Sequence, residues 1–282
     1  LKVGAPVSDM LREIGLEVSA VGNHEFDWDR ANIAKWANEG GFTFLSANMV
    51  YKANGELVEF ADPYKIIERN GVKVGFIGIA TPATATQTLP ANVEDIEFLD
   101  PIKTADKWAP KLREEGADVI IALTHCPVTQ EKDGTITGEA ADIAAYSKDV
   151  DAVIGAHNHA FVNGKVNNRP VVQAGNNGKG VSTISFTFDG NKKLVDLTSE
   201  TIKFASIQDS LPVDETVDEL IKNQEESLKD ILKEKVTYID EALDHTSKSF
   251  TKLGTIISET MRKVTYSEIA LTNGGGIRRG LE

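Results

Sequence analysis

The sequence predicts an α/β fold, and three observations carry that prediction. Helix-forming segments alternate with short β-branched runs. Three of those runs break off into clusters of polar residues, and four of the five histidines fall in those clusters. Alternation of this kind builds a sheet with helices packed against it. In open α/β sheets ligands bind beyond the carboxyl ends of the strands, which is where the histidines stand.

The first unit is a helix over 10–16 and a strand over 17–21, followed by Gly22-Asn23-His24-Glu25-Phe26-Asp27. A helix over 28–37 comes next, with Asp27 placed to cap it. Strands are predicted over 42–46 and 72–79 from their β-branched and aromatic content. The second unit is a helix over 101–115 and a strand over 118–123 that ends in Thr124-His125-Cys126-Pro127. The third is a helix over 139–148 and a strand over 150–154, running into Gly155-Ala156-His157-Asn158-His159. From Arg169 onward strands over 170–174, 181–188 and 193–198 read as hairpins closing a second sheet. A loop over 206–212 leads to a Glu- and Lys-rich stretch over 213–235, a solvated linking helix. A new strand-and-helix unit begins near Tyr238. There is no internal repeat and no low-complexity tract.

With 282 residues, 41% hydrophobic and 26% charged, the chain has enough apolar content for a core and is not disordered throughout. Its net charge of −13 argues against a nucleic-acid polymer or an anionic membrane as partner. A small phosphate ester in a locally positive or metal-lined cleft stays compatible with that charge. The single cysteine, Cys126, forms no internal disulfide and reads as a small buried residue, with metal ligation as the weaker alternative. No apolar run approaches the roughly 18 residues of a membrane span. The start at Leu1 without a leader, and the final Leu281-Glu282, read as the cut ends of a longer protein.

Any one of these histidines, taken alone, reads as a hydrogen-bonded loop residue. Together at three strand ends, His24, His125, His157 and His159 point to a divalent metal held by neutral imidazoles. Asn23 adds an amide oxygen, and the mixture suits zinc, manganese or iron. Asp27, three residues beyond His24, can accept its ring N–H and fix the tautomer. Glu25 reads as a capping or ion-pairing residue rather than a ligand. Near the C-terminus, the three glycines of Asn273-Gly274-Gly275-Gly276-Ile277-Arg278 read as a tight turn; their N–H groups are also free to approach an anion or a sugar.

Taken in order, Gly22 to Asp27, Thr124-His125, Gly155 to His159, Gln173-Ala174-Gly175 and Asn273 to Arg278 resemble motifs of the 5′-nucleotidase family. These are calcineurin-like metallophosphoesterases with a separate nucleotide-binding domain. The resemblance implies a four-layer β-sandwich flanked by helices, with residues 1–205 as the catalytic domain. Residues 206–237 become a linker helix and 238–282 the start of a C-terminal α/β domain. It implies two divalent ions, with Asn23, His125 and His157 on one and His159 on the other. His24 and Asp27 match the family's catalytic dyad, and Asn273 and Arg278 match positions that contact substrate. The implied reaction is hydrolysis of nucleoside 5′-monophosphates, at the cell surface, in the periplasm or after secretion. A 2′,3′-cyclic-nucleotide 2′-phosphodiesterase/3′-nucleotidase and a non-catalytic fragment that keeps the fold are the alternatives.

The pattern departs from the family in places. Its Asp-x-His and Gly-Asp-x-x-Gln segments, which supply the bridging carboxylate, have no counterpart before Gly22. A fragment inactive as written, with a partial metal site, is the resulting expectation. Pro127 stands where the family has glycine, and no substrate arginine is evident among residues 245–252.

Overall fold

The computed structural model describes residues 4–191, 193–246, 249–277 and 279–282. The chain divides into two compact units, Leu1–Gln224 and Glu225–Glu282, each described by itself.

The first unit begins with α1 (Ala5–Glu13), β1 (Val18–Ala20), α2 (Ala31–Gly40), β2 (Thr43–Leu45) and β3 (Met49–Tyr51). It continues with β4 (Tyr64–Arg69), β5 (Val72–Ala80), β6 (Ile96–Phe98), α3 (Pro101–Glu114) and β7 (Val119–His125). Then come β8 (Thr129–Gln130), β9 (Ile136–Thr137), α4 (Glu139–Tyr146), β10 (Ala152–Ile154), β11 (Phe161–Val166) and β12 (Arg169–Ala174). The long ribbon of β13 (Gly180–Phe188) and β14 (Leu194–Lys203) precedes α5 (Glu215–Leu232), within which the boundary between the units falls.

A six-stranded sheet in the order β11-β12-β10-β7-β5-β4 forms the centre. Its four inner strands are parallel, and the two edge strands run antiparallel to their neighbours. Residues 119–122 of β7 are buried on both faces, which is why that run is continuously apolar. One face packs on α3 and α4 through Ala105, Leu112, Ile120 and Ile143. The other packs Val119, Ile121 and Ala152 against Ile184 and Phe186 of the β13–β14 ribbon. The α3 helix starts where Asp100 accepts the Lys103 N–H at 2.8 Å and Pro101 occupies the first turn.

A second layer holds β1 and β2, paired in parallel, over a core of Phe26, Ile33, Trp36, Phe44 and Met49. Buried Asn48 ties this layer to the main sheet. Its amide donates to the Ala80 carbonyl at 2.8 Å, and its oxygen accepts the Ala80 N–H at 2.9 Å. The mixed α/β architecture, a central sheet flanked by helices, is the one the sequence predicts.

One sheet assignment is corrected. Residues 170–174 join the main sheet as β12, beside β10, rather than closing a second sheet. Val171 and Val172 are both fully buried, so the strand needs cover on both faces, and only an interior position supplies it.

In the second unit α6 (Lys252–Thr265) is capped by Thr251, whose hydroxyl accepts the Gly254 N–H at 3.1 Å. The strand expected near Tyr238 reduces, among the described residues, to a single antiparallel bridge between Leu243 and Leu281.

Candidate metal and catalytic site

Three strand ends deliver the site. After β1, Val21 continues its alignment by donating to the Leu45 carbonyl at 3.1 Å. Gly22 then turns the chain. A Cβ at this position would stand 2.7 Å from the His125 ring and 2.9 Å from Glu25 Oε2, so any larger residue would displace these two side chains. Glu25 closes the turn by accepting the Gly22 N–H at 2.6 Å, and burial pushes its carboxyl pKa up despite that bond.

Asn23, only 4% exposed, is the hub. Its Nδ2 donates to the Gln87 carbonyl at 2.9 Å. A carbonyl only accepts, so the amide is fixed with Oδ1 on the other side. There Oδ1 lies 3.1 Å from His125 Nε2 and 3.2 Å from His157 Nδ1. The two imidazoles meet edge to face, centroids 5.2 Å apart. Burial lowers the His125 pKa to about 4, helped by the neighbouring His157, His24 and His159. Burial also lowers that of His157, with Glu139 acting in the opposite direction. Both rings are thereby kept neutral, the form that binds metals.

His125 is the last residue of β7, whereas His157 follows β10 by three positions. The loop that carries His157 and His159 is held by the residue between them. Asn158 donates to the Val128 carbonyl at 2.8 Å and to Thr129 Oγ1 at 3.2 Å. His157 and His159 have φ of 75° and 61°, the left-handed region that side chains other than glycine and asparagine seldom occupy. Such strain gathers at functional sites, where the surroundings enforce it. His159 is exposed and is not hydrogen bonded to Asn23, His125 or His157.

His24 opens a short 3₁₀ turn, and its Nδ1 lies 2.7 Å from Asp27 Oδ2. A carboxylate accepts, so Nδ1 carries the proton and Nε2 is the ring's other working atom. Both side chains are substantially exposed, 56% and 42%. Asp27 does not cap α2. Arg30 stands at its N-cap without a side-chain cap, Asp29 accepts the Ala31 N–H at 2.9 Å, and Asp27 is turned back to His24. A cleft of about 400 Å³ beside the pair is lined by His24, Asp27, Trp28, Trp36, Phe42 and Phe44.

In the second unit, Asn273 Oδ1 accepts the Gly276 N–H at 2.7 Å and so caps the glycine turn. Arg278 lies outside the described residues.

Residues 6–161 match the family model of the calcineurin-like phosphoesterases. The chain belongs to that family. An endonuclease of Bacillus subtilis, YhcR, is 32% identical over 98% of this chain, which spans 24% of that protein's length. A 5′-nucleotidase of Vibrio cholerae is 27% identical across the whole chain and 60% of its own length. The crystal structure of a 5′-nucleotidase precursor from Thermus thermophilus superposes with a TM-score of 0.77 at 22% identity, covering 99% of this chain and 58% of that one. That last likeness concerns the fold.

As a calcineurin-like phosphoesterase the chain can be tested for fit to a divalent ion. Tetrahedral ligands about 2.0–2.1 Å from zinc lie about 3.3–3.5 Å from each other. Asn23 Oδ1 stands 3.1 and 3.2 Å from the two ring nitrogens, so a small adjustment admits an ion between them. All three donors are neutral and of the right type, and they fit. Among the described residues no three His, Cys, Asp or Glu side chains converge, because the third donor here is an amide.

Two contributors escape the sequence reading. The Gln87 carbonyl orients Asn23 from 64 residues away, and a backbone group carries no sequence signal. Asn158 holds the histidine loop; its place between two histidines was the available clue. Gln173 is 2% exposed and neither of its amide atoms has a partner, on the strand next to β10.

Proposed function

We propose that the chain is the phosphoesterase part of a metal-dependent enzyme that hydrolyses nucleoside 5′-monophosphates to nucleoside and phosphate. The observation that carries this reading is the convergence of Asn23 Oδ1 with His125 Nε2 and His157 Nδ1, one residue along the chain from the His24–Asp27 pair. Asn23, His125 and His157 would hold one divalent ion, and His159 is assigned to a second. Bound there, such ions polarise a phosphoryl group and make water a nucleophile near neutral pH.

The chain's own residues add orientation and a proton. Asn23 holds the two rings at a fixed separation, and the Gln87 carbonyl keeps its amide from turning over. Asp27 accepts the His24 Nδ1 proton in a hydrogen bond and favours the imidazolium, whose Nε2–H is the group that can donate toward the ester. In the hydrolysis a water oxygen bonds to phosphorus, the bond from phosphorus to the 5′ oxygen breaks, and that oxygen takes a proton. His24 Nε2 is the group assigned to stabilise or protonate it. Asn273 and Arg278 are assigned to substrate contact, within a C-terminal nucleotide-binding domain that begins near residue 238 after a linker over 206–237. An exported or surface location accompanies this reading. No helix among the described residues is long and apolar enough to cross a membrane.

A second reading, cleavage of a phosphodiester such as a 2′,3′-cyclic nucleotide, is favoured by the 32% identity to a protein named an endonuclease. Hydrolysis of AMP, 3′-AMP and 2′,3′-cyclic AMP by the manganese-loaded protein, followed by chromatography of the nucleotide and nucleoside products, separates the two. A dominant rate on AMP supports the first reading. A dominant rate on the cyclic ester replaces it with the second, and no turnover of any ester by metal-loaded protein overturns both.

A further inference from the structure

The His24–Asp27 pair is not held in place by its own hydrogen bond alone. Both side chains are substantially exposed, and a contact of that kind is too weak to fix the direction in which it points. That direction comes from the backbone of residues 23–28, and a side chain from outside the turn holds it. Asn92 Nδ2 donates to the Phe26 carbonyl at 2.7 Å and to the Trp28 carbonyl at 2.8 Å. An amide nitrogen carries two hydrogens, so each carbonyl takes one. The two carbonyls belong to the residues immediately before and immediately after Asp27.

The support behind Asn92 is rigid. Residues 90–92 form a 3₁₀ turn, in which Asn92 N–H donates to the Leu89 carbonyl at 3.0 Å and Val93 N–H to the Pro90 carbonyl at 3.1 Å. Val93 and Ile96 are buried in the same core as Phe26. Asp95 takes a two-pronged contact from Arg30, at 2.7 and 2.9 Å, and its carbonyl accepts the Lys52 N–H at 2.9 Å. The same segment reaches the other end of the turn, where the Gln87 carbonyl accepts from the Asn23 amide at 2.9 Å. Residues 87–92 thus grip the turn over 23–28 at both ends.

Satisfying two carbonyls does not by itself call for such a residue. The Trp28 contact is at the surface, where water would serve as well. What water cannot do is tie the peptides on either side of Asp27 to a packed element 64 to 66 residues further along the chain. We propose that Asn92 is a positioning residue for the His24–Asp27 pair: its amide fixes the backbone on both sides of Asp27 and so aims the carboxylate at His24 Nδ1. The inference rests on the role proposed for His24 and names the residue that holds its partner in place.

The test uses the full chain with Asn92→Ala, Asn92→Gln and, as a control remote from the site, Arg113→Ala. Ring ¹⁵N spectra of the metal-free protein at one alkaline pH read the neutral tautomer of His24, and thermal melting reads the fold. Initial rates with Mn²⁺ read kcat and KM on AMP and on p-nitrophenyl phosphate. The parent is expected to hold the His24 proton on Nδ1. Asn92→Ala is expected to shift that tautomer toward Nε2–H, with the other histidines unchanged. It should also lower kcat on AMP about 10–100-fold with KM little changed. p-Nitrophenolate leaves without a proton, so its release should fall far less. Asn92→Gln keeps both donors on a longer arm and should lie between Asn92→Ala and the parent. An unchanged His24 tautomer in Asn92→Ala overturns the proposal, as does an equal loss of kcat on both esters or the same tautomer shift in Arg113→Ala. If Asn92→Ala does not fold, Asn92→Gln decides by the same tautomer criterion. If the parent turns over neither ester, the 5′-monophosphate reading falls, and the tautomer still decides whether Asn92 positions the pair.

Discussion

Replacing Asn23 with alanine removes the hub of the site, and the cost can be worked from its three contacts. The amide donates once, to the Gln87 carbonyl, and accepts from His125 and His157. A typical hydrogen bond contributes about 0.5–1.5 kcal/mol net, so three set an upper range of about 1.5–4.5 kcal/mol. Two of them share one acceptor and are long, which places the sum in the lower half, near 2–3 kcal/mol. Asn23 is almost fully buried, so the groups left behind regain little water, and the void adds to the cost rather than relieving it. For a unit of this size about 2–4 °C of melting temperature accompanies each kcal/mol, so Asn23→Ala should melt about 4–12 °C lower. The measurement is urea and thermal unfolding in a chelator, so that lost metal does not enter the result. Asn23→Asp supplies the contrast. It keeps an acceptor toward both imidazoles but turns the 2.9 Å contact with Gln87 into two facing acceptors. It should lose stability in chelator yet still bind Mn²⁺, whereas Asn23→Ala should lose both. An Asn23→Ala protein that unfolds within about 0.5 kcal/mol of the parent in chelator would show that the amide is not the organising contact.

Three further outcomes are expected. His159 pays for its left-handed backbone without a hydrogen bond to the other site residues, so His159→Gly should stabilise the protein by about 1 kcal/mol, and His159→Ala should not; melting temperatures decide. In chelator the depressed His125 pKa makes stability depend on pH. The contribution is whole above the unfolded value of about 6.5 and is lost as pH falls through about 4, a span worth about 3 kcal/mol. Urea unfolding between pH 8 and 4 should show that loss and a flatter profile in His125→Phe. Far from the site, Arg113 donates to the Ala117 and Asp118 carbonyls and to Asp151, which in turn accepts the Ile120 N–H. Arg113→Ala should cost about 2–3 kcal/mol and leave Mn²⁺ affinity unchanged by calorimetry.

How much was legible in the sequence depends on what each residue needed from its neighbours. The strand ends at His125 and His157 could be read because a β-branched run and a ligand-type side chain are both local features. The pairing of His24 with Asp27 was legible for the same reason, three residues being one turn. The N-cap of α2 was not. Asp27 suits a cap by type, but it is engaged by His24, and Arg30 stands at that position instead. The place of β12 was misread because alternation says how a strand is buried, not which sheet buries it. Gln173 was read only as part of a family-like motif, and only the packing around β12 shows that both of its amide atoms are buried without a partner.

An amide at the centre of the site, rather than a carboxylate, has a physical consequence. Asn23, His125 and His157 are all neutral donors, so the three can approach one another in the absence of metal without mutual repulsion. Their hydrogen bonds stand in for the ion and keep the rings close to their working separation. A divalent ion held by these three would keep its full charge available to a phosphoryl oxygen, whereas each carboxylate ligand would cancel part of it. Such a local charge would let an acidic chain meet an acidic substrate. The net charge of −13 is spread over the whole surface and is screened beyond about 8 Å at physiological ionic strength. An ion held by Asn23, His125 and His157 would act within contact distance, where burial depresses the His125 pKa to about 4. Burial thus does two things with one arrangement: it keeps the imidazoles unprotonated for the metal, and it leaves the field of a bound ion little attenuated.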